Sequence, residues 1–137
     1  MSHAQHLARL AEHQATIHDI LNRGERLLRS PDRDAQALAR ARWELARAIM
    51  AYQGFKHREI FDPIARTSEP ARAGVARRLK AACVHSGENF RAYVAKWSSA
   101  DVLGRWDEYQ AAAHKLIADL RLGLAQEKRE AEALLRG

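Results

Sequence analysis

The chain has 137 residues, 23 Lys+Arg against 17 Asp+Glu, a net charge of +6, and only 7 Gly and 3 Pro. That length suits a single domain, 1–137, with one continuous core, and few breakers beside abundant Ala, Leu and Arg point to an all-α protein. No run of about 18 apolar residues reads as a membrane span, MSHAQHLARLAEH lacks the pattern of a secretory leader, and the lone Cys83 cannot pair internally, so a cytoplasmic protein is expected.

The first predicted helix, roughly 3–29, carries Leu7, Leu10, Ile17, Leu21 and Leu28 at helical spacing. His13 lies between Leu10 and Ile17 on that stripe. Ser30-Pro31-Asp32 then supplies an N-cap serine with proline at the first helical position.

The second helix, roughly 32–66, continues the pattern through Leu38, Leu45, Ile49, Tyr52, Phe55 and Ile60. Glu59 comes four residues after Phe55 and seven after Tyr52, which predicts a carboxylate on the inner face. His57, two residues earlier, would point roughly 160–200° away and is expected to be exposed.

Thr67-Ser68-Glu69-Pro70 is a second cap followed by proline. The third helix, roughly 69–97, sets Val75, Leu79, Ala82, Phe90, Tyr93 and Trp97 on a broad face, with His85 three residues after Ala82. Residues 67–97 hold 6 Lys+Arg and 2 Asp+Glu, which is four of the six excess positive charges. Arg72, Arg77, Arg78 and Lys80 cluster at its start, against the helix dipole. The expected reading of that cluster is a solvated surface, and an anion-binding patch is its functional alternative.

Ser98 and Asp101 are spaced as in a capping box and open the fourth helix, roughly 100–135. Its stripe runs Trp106, Tyr109, Ala113, Leu116, Leu120, Leu124, Ala131 and Leu134, with Glu127 seven residues after Leu120 and four after Gly123. Four helices of similar length with short turns bury such stripes by packing as an antiparallel, up-down-up-down four-helix bundle. Trp43, Trp97 and Trp106 are expected to fill its ends.

Polar groups on a core stripe are costly unless paired, so His13, Glu59, His85 and Glu127 carry the most information. Their setting resembles the hemerythrin family of cation-binding (HHE) bundles. AEHQATIHDIL corresponds to the family's first-helix histidine at His13, and FKHREIFDPI sets Glu59 on a family carboxylate and Phe55 on a ligand histidine. ACVHSGENF supplies His85, and GLAQEKREAEALL supplies Glu127, with Gly123 in the place of the last histidine. The resemblance implies the hemerythrin-like bundle and a role in oxygen carriage, oxygen or iron sensing, or stress response.

It also implies a broken centre. Phenylalanine offers no lone pair and glycine no side chain, while a dioxygen-binding di-iron site needs several imidazoles. What is left reads as a degenerate cation site of His13, Glu59, His85 and Glu127, lined by Tyr52, Phe55, Tyr93 and Gly123. The expectation is no cofactor, with His–Glu contacts satisfying each other; the alternative is a single Fe or Zn ion. Phe55, Tyr52 and Tyr93 are expected to fill the vacated space, because cavities are destabilising.

No phosphate-cradling loop, nucleophile elbow or zinc-protease motif is present, so no enzymatic activity is expected. The expected function is a non-enzymatic binding, signalling or stress-response module. Its alternatives are a single-metal iron or oxygen sensor and a histidine phosphotransfer domain using His85, which lacks the lysine and glycine that follow the histidine in such domains. A protein partner or self-association is expected and a membrane partner is not. Nucleic acid is not expected either, since the basic residues lack interleaved aromatics.

Overall fold

The computed structural model describes residues 2–136, and every regular element among them is helical. Four long helices dominate: α1 (His3–Arg29), α2 (Ala35–Phe55), α4 (Pro70–Ser99) and α5 (Trp106–Arg136). Between α2 and α4 the chain runs through a π-helical segment (Lys56–Phe61) and the short α3 (Asp62–Thr67). No helix among the described residues is long and apolar enough to cross a membrane.

The caps fall close to the predicted turns but use different residues. Ser2 and Gln5 form a capping box at the start of α1. Ser30 closes α1 instead of opening α2, whose N-cap is Asp34, accepting from the Ala37 N–H at 3.0 Å. Glu69 caps α4 by accepting from Arg72 and Ala71. At the third turn, Ser98 and Ser99 remain the last residues of α4, and α5 starts only at Trp106. Asp101 acts there within the loop, accepting from the Gly104 N–H.

The π-helical segment was not anticipated, and Pro63 gives it a physical cause. Proline lacks the N–H that would bond the carbonyl of Glu59, and its ring crowds that carbonyl in a regular α-helix. Widening the preceding turn relieves the conflict; the Asp62 N–H bonds His57 O, five residues back. One extra residue in the turn rotates the face that meets the core, and Ile60 and Phe61 are buried in it together with Lys56.

α1 packs on α2 and α5, and α4 packs on α2, the π segment and α5. The buried side chains Leu10, Ile17, Leu21, Leu45, Ile49, Tyr52, Phe55, Ile60, Phe90 and Leu124 share one apolar cluster. Trp97 and Trp106 are buried around Tyr109, as expected of bundle-end aromatics, with ring centroids 5.0 and 6.2 Å from it. Trp43 departs from that expectation and is exposed on α2.

Candidate functional site

The predicted ligands do not converge. His85 is exposed, because α4 turns Ala76, Cys83, Gly87, Phe90 and Val94 inward. His85 is two residues from both Cys83 and Gly87, about half a turn away from the buried face. His13 is half-buried against Phe55, stacked at 5.2 Å, and tilted towards Tyr52 at 6.0 Å. Burial, reinforced by Arg9, holds its imidazole below the ordinary pKa. Glu59 is half-buried in the π segment, where its charge acts on His6. Phe55 is 2% exposed, with His6 and His13 on its ring. Among the described residues, no group of three or more His, Cys, Asp or Glu is placed to hold a metal ion.

Glu127 has a different partner. The ammonium of Lys56, a residue 3% exposed, bonds the Glu127 carboxylate across the bundle. The same ammonium lies 4.0 Å from the centre of the Tyr52 ring, a cation–π contact, and its charge acts on Cys83. Tyr52 accepts from Gln14 Nε2 at 2.9 Å. Gln14 uses its other amide hydrogen on the Leu124 carbonyl, also at 2.9 Å. Lys56, Glu127, Tyr52 and Gln14 thus form one polar network within the core, with Cys83 beside it.

The Tyr52 phenol and the Cys83 thiol are held in their neutral forms. Burial pushes the Tyr52 phenol well above its ordinary pKa, and the Glu127 charge pushes it further. Burial likewise raises the Cys83 thiol, against the opposing pull of Lys56. A thiol with a raised pKa is a poor nucleophile.

Beside this network lies a cavity of about 320 Å³ between α2, the π segment, α4 and α5. Lys56, Tyr52, Glu127, Asn89, Asp119 and Glu130 are among its polar lining; Ile49, Phe61, Phe90, Leu120 and Leu124 supply apolar wall. It exists because small residues meet there: Cys83 and Ser86 on α4, and Gly123 on α5. A Cβ built on Gly123 would touch nothing closer than Glu127 Oε2 at 3.7 Å. The expectation that Tyr52 and Tyr93 close the space beside Gly123 is therefore corrected. Tyr52 lines this cavity, but Tyr93 lines a second, separate one.

In the basic cluster, the Arg72 guanidinium donates to the Leu134 carbonyl at 3.0 and 2.8 Å, so it caps the end of α5. Lys80 pairs with Asp62 at 2.7 Å. Arg77 and Arg78 are exposed. His57 also departs from expectation: it is half-buried, tilted against Phe61, with Nε2 enclosed and without a partner.

Gln14, Arg42 and Lys56 are the buried polar residues of the core, and periodicity alone contains them. Gln14 falls four after Leu10, Arg42 four after Leu38, and Lys56 four after Tyr52 and seven after Ile49. Long polar side chains on a stripe are normally read as its edge, since lysine and arginine are seldom buried.

Comparison with protein-family models, characterised proteins and solved structures finds no match for this chain. The functional reading therefore rests on the site itself.

Proposed function

We propose that this protein is a hemerythrin-like bundle of up-down-up-down topology that has lost di-iron chemistry and serves as a non-enzymatic binding module. Its ligand is a small, largely apolar molecule held in the cavity beside Lys56. The neighbour relations support the topology: α1 and α4 each contact α2 and α5, and the connections are short.

The observation that carries the reading is the Lys56 ammonium on the Glu127 carboxylate. By the resemblance, Glu127 is a metal ligand. Here a tethered cation from the chain neutralises it, while Phe55 and Gly123 offer no donor where imidazoles would stand. The residues present do not fit a di-iron centre. They do fit an organic guest, because the cavity lies within the range of small-molecule sites and combines apolar walls with polar groups. With the Cys83 thiol held neutral, covalent chemistry has no evident nucleophile.

Protein purified without chelator is expected to contain well under two iron atoms per chain and no oxo-bridged di-iron absorption. It should bind an environment-sensitive apolar dye such as anilinonaphthalene sulfonate while remaining cooperatively folded. Gly123→Leu, which projects a side chain into the cavity, should abolish dye binding. Stoichiometric di-iron, or dye binding unchanged by Gly123→Leu, overturns the reading.

A further inference from the structure

A second cavity, of about 40 Å³, lies between α1, α2, α4 and α5, and Arg42, Tyr93 and Tyr109 are the polar residues in its wall. The rest is apolar, from Leu21 and Leu28 of α1 to Ala113 and Ile117 of α5. Arg42 is 7% exposed. Its Nη1 donates to Tyr109 Oη at 3.0 Å, and its Nε is enclosed without a partner. Among the described residues, no carboxylate stands within ion-pair distance of this guanidinium.

Donor counting makes the imbalance sharper. A guanidinium has five N–H donors, no acceptor, and cannot discharge by losing a proton. Tyr109 oxygen already accepts from Arg42, and the Tyr93 phenol lines the same void. Around this void the side chains therefore offer donors and a fixed positive charge, with no side-chain carboxylate to receive them. The guanidinium rests against the Tyr109 ring, 5.5 Å from its centre, but the enclosed Nε remains a donor without an acceptor, which is costly.

We infer that the Arg42–Tyr93–Tyr109 cavity is a binding site for a small monovalent inorganic anion of halide size. The dimensions agree: one water needs about 10–15 Å³ on this measure, so the void has room for a monatomic anion. Gly24 marks the way in. It lines the void, and a Cβ placed there would meet nothing within 4 Å. The anion completes the electrostatics of the bundle at a level distinct from the Lys56–Glu127 network, so this site stands or falls independently of the larger cavity's ligand.

The test titrates bromide into the full chain against methanesulfonate, at constant ionic strength, with thermal unfolding as the readout. An anion that binds only the folded state raises the midpoint in a saturable way, by roughly 3 °C or more once bromide exceeds its Kd about tenfold. General salt effects run in the opposite order, since excluded, strongly hydrated anions are the ones that stabilise. Arg42→Met is expected to remove the bromide-dependent rise. A crystal grown with bromide should show an anomalous peak between Arg42, Tyr93 and Tyr109, a readout that survives even if Arg42→Met does not fold. A midpoint that does not saturate with bromide, a rise retained in Arg42→Met, or water in place of the anomalous peak overturns the inference.

Discussion

Lys56 and Glu127, 71 residues apart, meet as an ion pair in which the lysine side chain is 4% exposed and the glutamate 34%. The two ends of the pair are thus unequal, and so should be the consequences of removing them. Glu127→Ala strands an ammonium inside the core, whereas Lys56→Met leaves a carboxylate that water can reach. Loss of one partner in a fully buried pair costs about 3–5 kcal/mol, and discounting for the exposure of Glu127 gives about 2–3 kcal/mol for Glu127→Ala. Lys56→Met should lie near neutrality, because replacing buried charge by apolar bulk is often harmless. Urea denaturation of both variants and of the double variant checks the order; a larger loss for Lys56→Met contradicts it.

Phe55 packs between the rings of His6 and His13 with almost no exposure. Phe55→Ala should cost roughly 3–5 kcal/mol, as core aromatic truncations do. A loss below about 1 kcal/mol in chemical denaturation would mean that the ring packs against nothing that matters.

Stability should fall as pH drops through the histidine range. The imidazoles of His6, His13 and His57 all sit below their ordinary value of 6.5, in each case chiefly through burial. The unfolded chain therefore binds more protons than the folded one in that window. Their contribution is fully present above about pH 6.5 and is lost progressively as pH falls towards and through the folded values. His57 is further depressed by Lys80 and Lys56. His57→Gln should flatten the decline between about pH 6.5 and 5, measured by urea midpoints, and a parallel curve in that variant would show that His57 does not contribute.

Arg72 and Arg77 test the cap within the basic cluster. Arg72→Ala removes two charge-assisted bonds to the Leu134 carbonyl and should cost about 1–2 kcal/mol, given the partial exposure of the site. Faster amide hydrogen exchange in the last turns of α5 should accompany it. Arg77→Ala, at an exposed position, should fall within about 0.5 kcal/mol of the parent. Equal effects of the two would mean that the cap contributes nothing particular.

The all-helical class and the placing of three turns near residues 31, 68 and 99 were legible in the sequence, because caps, prolines and apolar periodicity act over a few residues. Phe55 was legible as core for the same reason. The site was not. His13 and Gln14 are neighbours that both lie within helical reach of Leu10 and Ile17, and the stripe cannot say which turns further in; packing against Tyr52 and Leu124 buries Gln14. Pro63 was visible, but whether the chain would end its helix there or widen it into a π turn depended on what the next turn could bury.

What the sequence alone determined is the all-helical class and the four long helical segments, since helix formation depends on local propensity, capping and the spacing of apolar residues. What only the tertiary structure decided is the chemistry inside them. The packing of the helices brings Lys56 to a carboxylate 71 residues away, and small residues on α4 and α5 leave a cavity beside that pair. A rotation of one residue in a single turn exchanges inward for outward side chains. That rotation is set by the fit between helices, which is a property of the whole packed core and of no one segment.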